Sequence, residues 1–358
     1  MTLAHRLQES RLPLNAIRLA LAIWIIALTH SGDIGGFAFA SPFPSFRVST
    51  FFALSGILVT MSAMRKTPKD FLLARLRRTI PAYVFMLAAT ALILSPIIYS
   101  LAFGGMAGFS WFGENGAIAY VLGNIVMSVN VHYTIKGVFE GTNAFASLNG
   151  SLWTIPIEFR AYLISLLVVI IGRRVGMTRV AVTALFIALA FMVLNRIDPV
   201  TTQAILPEFL PPEYIPMLFI FLCGSVLATQ AYRITLTHER GVAAALLLVA
   251  GSQLQEPLFR DIALGTLVIV VPYLASLLPT RPFRWFTNDL SYGTFLWGFP
   301  VAQVLAFAGL NSLGLAPFAL LSVLCTLPFA AVSWFLVERR FLRRATGPAA
   351  AAPVRVSV

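Results

Sequence analysis

The sequence predicts an all-α fold, a polytopic membrane helical bundle of about ten transmembrane helices with both termini cytoplasmic. Hydrophobic residues make up 58% of the 358 residues, and the mean hydropathy is +0.85. Charged residues make up only 11%, whereas soluble domains carry about a quarter. Apolar runs of about twenty residues, long enough to cross a bilayer, recur along the chain. We therefore expect one transmembrane domain over residues 1–344 and a disordered cytoplasmic tail over residues 345–358.

Ten apolar segments, separated by Pro, Gly and charged residues, account for the predicted spans. A further apolar segment, residues 117–131, lies within the long outer loop 101–150. We expect a short re-entrant or interfacial helix there. The ten predicted spans are residues 13–31, 49–64, 80–100, 151–171, 178–195, 214–231, 241–256, 259–278, 290–308 and 314–337.

The distribution of basic residues predicts the orientation of the bundle. If the N-terminus is cytoplasmic, 21 of the 26 Lys and Arg residues lie on the inner side, four lie outside, and Arg160 lies within a span. This bias is typical of cytoplasmic loops and places both termini inside. The net charge of +12 does not indicate nucleic acid, because the basic residues occupy short loops without interleaved aromatics. Cys223 and Cys325 fall inside apolar spans, so we expect neither a disulfide framework nor a metal site.

The first predicted span contains two ionisable side chains, which are costly in a membrane and therefore indicate function. Arg18 lies near its inner end, and His30 follows twelve residues later. On a helix this separation is about 18 Å along the axis. It suits a long substrate with a phosphate headgroup and a reactive tip. The alternative is a snorkelling arginine and a histidine packed at the interface.

A second cluster lies in the predicted inner loop 65–78. Arg75 and Arg78 are three residues apart and share a helix face just before Pro81. Guanidinium groups bind phosphates bidentately, so this pair is a candidate for holding a nucleotide-like cofactor at the cytoplasmic surface. Topology alone also demands basic residues here, so the cluster by itself does not decide between the two interpretations.

The fourth predicted span brings Glu158 and Arg160 into an otherwise apolar helix, which Pro156 loosens. An intramembrane carboxylate orients a histidine or relays its proton. The competing interpretation is that Glu158 pairs with Arg160 and is purely structural.

Two further segments contain hydroxyl groups beside small or aromatic residues. Ser55 and Gly56 lie in the second span, where small residues indicate close helix packing. Ser291 and Tyr292 begin the ninth span, where their hydroxyls either cap the helix or contact a ligand. We predict Ser55 and Tyr292 as contacts of a bound cofactor.

The order and spacing of these motifs resemble the membrane acyltransferase-3 family of bacterial integral-membrane O-acyltransferases acting on glycans. Six blocks carry the resemblance: NAIRLALAIWIIALTHS (15–31), FFALSGILVTMS (51–62), the Arg75-Leu76-Arg77-Arg78…Pro81 segment, SLWTIPIEF (151–159), LSYGTFLWGFP (290–300) and VERRF (337–341). The resemblance implies a multi-pass enzyme of the bacterial cytoplasmic (inner) membrane. Such an enzyme moves an acyl group, usually acetyl from coenzyme A, to a sugar hydroxyl of an envelope or exported polysaccharide.

The resemblance also implies roles for particular residues. Arg18 and the pair Arg75 and Arg78 match the family's arginines, and we expect them to hold the phosphates of acetyl-CoA or another short acyl-CoA. His30 matches the span-one histidine and Glu158 the carboxylate of the SLW block, so both are predicted catalytic residues. As general base, a neutral His30 takes the proton of the acceptor hydroxyl. This picture requires a continuous passage from the arginines to the imidazole.

Two departures from the family pattern predict local differences. The family's histidine usually follows the arginine by eleven residues, whereas His30 follows Arg18 by twelve. On a regular helix the extra residue turns His30 about 100° away from the Arg18 face. We therefore predict a π-bulge or local unwinding between Ala20 and His30. Many relatives also carry a second histidine where this chain has Gly298, so a two-histidine mechanism is not supported.

Other interpretations predict different partners. An acyltransferase requires acyl-CoA and a polysaccharide or lipid-linked oligosaccharide acceptor, in contact with membrane lipid, and needs neither metal nor nucleic acid. No Ser, Cys or Lys stands out as an acyl-enzyme nucleophile, so direct transfer is expected. The alternative is a transporter or flippase of a lipid-linked sugar or small anion, although no internal repeat is visible. A third possibility, a non-catalytic scaffold, predicts that the buried ionisable residues tolerate substitution.

Overall fold

The computed structural model describes residues 2–37, 46–141, 145–284 and 286–343, and within these the chain is all-helical without a strand. The predicted tail 345–358 lies outside the described residues. Within the described ranges, seven helices are long and apolar enough to cross a membrane. They are α1 (Arg11–Gly35), α2 (Phe46–Arg65), α3 (Pro68–Phe103), α4 (Thr154–Val175), α5 (Met177–Ile197), α6 (Pro212–Thr229) and α7 (Leu315–Leu342).

The remaining predicted spans are occupied by shorter helices. Pro257–Leu264 and Leu267–Leu277 meet at a 40° bend and form an eighth span if they are counted together. His238–Ser252 and Ser291–Phe307 (α8) have only 15 and 17 residues. Crossing the hydrocarbon core takes about 20 residues. The multi-span fold is therefore confirmed, whereas the count of ten spans and the cytoplasmic placement of both termini stay predictions.

The third helix begins earlier than the sequence predicts. Residues 65–78 were expected to form an inner loop, but α3 starts at Pro68 and continues through Phe103. Thr67 caps its N-terminus by accepting a hydrogen bond from the backbone N–H of Asp70 at 3.2 Å. Proline in the first turn and an acidic residue near the N-terminus both favour helix initiation. The arginine pair consequently lies on a rigid helix.

The segment predicted as a short helix in the outer loop forms Ala117–Ile125. Nine residues rise only about 13 Å, so this helix does not cross a bilayer. Its last turn is anchored to α3, because the Tyr83 hydroxyl donates to the main-chain oxygen of Asn124 at 3.1 Å. The Asn124 amide in turn donates to the main-chain oxygen of His132 at 2.8 Å.

The core is organised around the close contact of α2 and α6. Cα atoms of Gly56 and Gly224 face each other, and a Cβ added at Gly56 would lie 2.0 Å from the main-chain oxygen of Phe221. Thr60, Ser165 and Ser225 join α2, α4 and α6 through hydroxyl hydrogen bonds of 2.9 Å. Close small-residue contacts and interhelical hydroxyl bonds are the usual means of packing helices in a membrane. The packing role predicted for Gly56 is confirmed.

Replacing Gly56 with Ala should lower the free energy of unfolding by about 1–3 kcal/mol, because the added methyl group displaces a neighbouring backbone. Thermal unfolding of the detergent-solubilised protein would measure the loss. Gly105→Ala is the matched control, since a Cβ at Gly105 meets nothing within 4 Å. Equal stability of the two variants would contradict the packing model.

Candidate functional site

His30 ends a π-helical turn, Ile25–His30, within α1. The predicted bulge between Ala20 and His30 is therefore confirmed. A π turn absorbs one extra residue, so it offsets the additional rotation that twelve residues would impose. The turn is held by Ser31, whose hydroxyl donates to the main-chain oxygen of Ile26 at 2.9 Å.

The imidazole of His30 lies 2.9 Å from a serine that the sequence analysis did not single out. Its Nε2 is hydrogen-bonded to the hydroxyl of Ser151, and both side chains are about 95% buried. The backbone N–H of Ser151 donates to the side chain of Asn149 at 3.0 Å, and the amide of Asn149 donates to the main-chain oxygen of Leu296 at 3.0 Å. Ser151 is thus held against α8. The buried Nδ1 of His30 has no hydrogen-bond partner among the described residues.

Gly298 lies directly against this histidine. A Cβ at Gly298 would be 2.4 Å from the Ile26 side chain and 3.4 Å from Nδ1 of His30. The edge of the His30 ring also contacts Phe299, with ring centroids 5.1 Å apart. The position at which many relatives carry a second histidine therefore has no room for a side chain, because Ile26 and His30 fill it.

Arg47 lies near His30. It is one of the four basic residues that the sequence predicts on the outer side of the membrane. It is 97% buried, and it interacts electrostatically with His30 and Asp33. Its guanidinium also lies 5.8 Å from the ring of Trp24. A fixed positive charge therefore accompanies the imidazole.

Glu158 does not contact His30. Its carboxylate accepts a hydrogen bond from the hydroxyl of Tyr162, one turn along α4. The ring of Tyr162 lies 5.9 Å from the guanidinium of Arg75, which also donates to Ser62 at 3.3 Å. The alternative pairing is not formed either, because the guanidinium of Arg160 donates to main-chain oxygens, including that of Pro156 at 2.8 Å. Glu158 is instead linked through Tyr162 to Arg75.

Arg18 and Arg78 meet at one carboxylate, that of Asp289, in the loop before α8. Both guanidinium groups donate to the same oxygen, Arg78 at 2.8 Å. Arg78 also donates to Glu338 at 3.2 Å, and Glu338 is 99% buried. The two arginines and two carboxyl groups form one connected cluster, which we call the charge cluster. The two neighbouring arginines lower the pKa of Asp289 to about 2 despite its burial.

Two adjoining cavities connect the Arg18–Asp289 ion pair with Glu158. The larger, of about 520 Å³, is lined by Arg18, Arg78 and Asp289 and opens at one end of the bundle, where Arg11, Arg65 and Lys66 are exposed. We call this the basic end.

The smaller cavity, of about 60 Å³, shares Arg18 with the larger one. Its wall includes Ser55, Glu158, Tyr292 and Thr154. The hydroxyl of Tyr292 donates to the main-chain oxygen of Thr79 at 3.1 Å. Ser55 and Tyr292 therefore lie where the sequence predicts a bound molecule, beside Arg18 and Glu158.

The predicted continuous passage to the imidazole is not open. The smaller cavity ends at Thr154, whose hydroxyl donates to the main-chain oxygen of Ser151 at 3.0 Å, and His30 lines neither cavity. A volume of about 60 Å³ holds only about five water molecules. The turn between Ser151 and Thr154 therefore separates the end of the smaller cavity from the His30–Ser151 pair.

Three residues of this site, Ser151, Asp289 and Glu338, were not predicted as site residues. Ser151 lies within the SLW block and Glu338 within VERRF, so motif position was a usable signal for both. Asp289 lies in a loop outside every predicted span, and only the fold brings it to Arg18 and Arg78.

A buried polar site within a bundle of apolar helices defines a multi-pass membrane protein with an internal reaction or binding site. The family model described as an acyltransferase domain, acyltransferase-3, matches residues 13–337, so the chain belongs to the acyltransferase-3 family. The chain is also 27% identical over 319 residues to an O-acetyl transferase of Shigella phage Sf6, covering 84% of this chain and 85% of the relative. No solved structure matches the chain. The family resemblance predicted from six sequence blocks is confirmed, and the protein is an acyltransferase.

Proposed function

We propose that this protein is an O-acetyltransferase of the bacterial inner membrane. It takes an acyl group, acetyl or another short chain, from cytoplasmic acyl-CoA and transfers it to a sugar hydroxyl of an envelope or exported polysaccharide. The observation that carries the proposal is the order of groups through the bundle: a basic cavity at one end, a narrow polar cavity beyond it, and the His30–Ser151 pair past its far wall. The similarity to an O-acetyl transferase of Shigella phage Sf6 supports the acetyl group.

The phosphates of the donor bind at the basic end in this proposal. Arg11, Arg65 and Lys66 are exposed around a cavity of about 520 Å³, and positively charged side chains bind phosphates strongly. Arg18 and Arg78 lie deeper, where Asp289 already neutralises part of their charge. They therefore form the inner wall of the donor site, and their release from Asp289 accompanies entry of the acyl arm.

His30 acts as the general base. Its Nε2 is already hydrogen-bonded to a hydroxyl at 2.9 Å, which is the distance that proton transfer requires. The acyl arm passes Glu158 and Thr154 to reach this pair, so the narrow cavity widens during turnover. Glu158 acts on the arm or on the proton network through Tyr162, since it makes no contact with His30.

The proposed donor site also implies how the bundle is oriented in the membrane. Both chain termini and the basic end face the cytoplasm, where acyl-CoA is found, and the His30–Ser151 end faces the outer side. The inner-side bias of basic residues supports this orientation.

Mass analysis of surface and secreted glycans from cells with and without the intact gene tests the function. We expect a glycan that is heavier by one acyl group only when the gene is present. Purified protein in vesicles should also convert acyl-CoA to free coenzyme A in the presence of that glycan. Movement of a sugar lipid or small anion across the vesicle membrane without acylation would instead support a transporter.

A further inference from the structure

We propose that Ser151 is the acyl-accepting nucleophile of this enzyme, so that the acyl group rests on its Oγ between donor and acceptor. The inference rests on the proposed acyl transfer and adds a covalent step to it. It replaces the direct transfer expected from the sequence, in which no serine stood out.

The geometry of Ser151 and His30 is that of a nucleophile and its base. Their side chains are hydrogen-bonded at 2.9 Å, within the range of known serine–histidine pairs. In such pairs a third group usually orients the base, whereas the buried Nδ1 of His30 has no hydrogen-bond partner among the described residues. The nucleophile side is positioned by Asn149, which accepts from the backbone N–H of Ser151 and is itself fully buried against α8.

The narrow cavity ends one turn short of Ser151. Glu158, Thr154 and Ser151 are spaced four and three residues apart, so they share one face of α4 and the turn that precedes it. Glu158 and Thr154 line the narrow cavity. Ser151 is the next position on this face and is joined to Thr154 by a hydrogen bond of 3.0 Å. An acyl group that moves one turn beyond the end of this cavity therefore reaches the Ser151 hydroxyl.

The opposed entries of the two substrates favour two successive reactions. The donor approaches from the basic end, whereas the acceptor glycan is on the other side of the membrane in the proposed orientation. A covalent intermediate allows the donor to leave before the acceptor binds.

The first half-reaction transfers the acyl group to the protein. His30 Nε2 takes the proton of the Ser151 hydroxyl while Oγ attacks the thioester carbonyl carbon. The new Oγ–C bond forms and the C–S bond breaks. The protonated His30 then gives its proton to the leaving sulfur, so coenzyme A departs as a thiol.

The second half-reaction transfers the acyl group to the sugar. His30 Nε2 takes the proton of the sugar hydroxyl, and the sugar oxygen attacks the carbonyl carbon of the acyl-Ser151 ester. The Oγ–C bond breaks, and His30 returns the proton to Ser151 Oγ. The protein is regenerated without an oxidant, a reductant or a metal.

Labelling of the full-length protein in membranes tests the covalent step. With radiolabelled acetyl-CoA and no glycan, the wild type should acquire an acetyl ester on the peptide containing Ser151. It should also exchange labelled coenzyme A into acetyl-CoA, because the first half-reaction is reversible. Ser151→Ala should reduce label, exchange and glycan acetylation by at least about 100-fold. Ser151→Cys keeps a nucleophile and should carry the label as a thioester, which neutral hydroxylamine cleaves.

Ser165→Ala is the matched control, because Ser165 is also fully buried on α4 and hydrogen-bonded, but far from His30. It should retain label and exchange within about threefold. Acetylated glycan without labelled protein and without exchange would overturn the serine step alone, as would full activity of Ser151→Ala. A wild type that neither acetylates glycan nor exchanges coenzyme A would overturn the proposed function together with this step.

Discussion

Replacing His30 with Ala should reduce acyl transfer by about 100- to 10,000-fold, which is the usual contribution of a general base. In the proposed mechanism no other base can replace it, since Nε2 of His30 is the only titratable group within hydrogen-bonding distance of Ser151 among the described residues. The measurement is incorporation of labelled acetyl groups into glycan by membranes that contain equal amounts of folded protein.

His238→Ala is the matched control for this variant. Like His30, His238 is hydrogen-bonded to a hydroxyl, in this case that of Tyr273. The ring centroids of His238 and Tyr273 are 5.7 Å apart. It lies outside both cavities, so its loss should change acyl transfer by less than about threefold. Unchanged transfer in His30→Ala would remove this histidine from the mechanism.

Replacing Asp289 with Ala should lower the free energy of unfolding by about 2–3 kcal/mol, less than the usual cost of breaking a fully buried ion pair, because Asp289 is only partly buried. Asp289 forms ion pairs with both Arg18 and Arg78. Without Asp289, Glu338 is the remaining ion-pair partner of Arg78 among the described residues. Thermal unfolding in detergent would measure this loss. The matched control is Glu256→Ala, because Glu256 pairs with Arg196 at an exposed site and should cost less than about 1 kcal/mol.

Asp289 should also make stability depend on pH. Its pKa is lowered from 3.8 to about 2, so its contribution is complete above about pH 4 and is lost as the pH falls through 2. This shift corresponds to about 2 kcal/mol. Asp289→Asn removes the ionisable group. Between pH 4 and pH 2, the free energy of unfolding should therefore fall less in this variant than in the wild type. An identical acid response of wild type and variant would contradict the assignment.

Much of the architecture followed from local features. Apolar runs placed six of the seven long helices within five residues at each end. A membrane helix satisfies its own backbone hydrogen bonds and needs only length and hydropathy. The π turn that ends at His30 was predicted because His30 follows Arg18 by twelve residues, one more than is usual in the family. The helical start at Pro68 was missed, since a run rich in basic residues resembles a loop although Thr67 and Pro68 favour helix initiation.

The candidate site was only partly predictable. Arg18, Ser55, Glu158 and Tyr292 do line one cavity, and Arg18 and Arg78 line the adjoining one. Neither partner considered for Glu158, a histidine or Arg160, is bound to it, because the side chain turns toward Tyr162.

Hydropathy and motif order alone established a multi-pass helical membrane protein of the acyltransferase-3 family, because both properties are local along the chain. Only the packing of the helices decided that His30 meets Ser151 and that Arg18 and Arg78 share Asp289. These pairs are separated by 121, 271 and 211 residues. Contacts over such separations depend on how helices cross, and a single sequence contains no periodic signal that reports it.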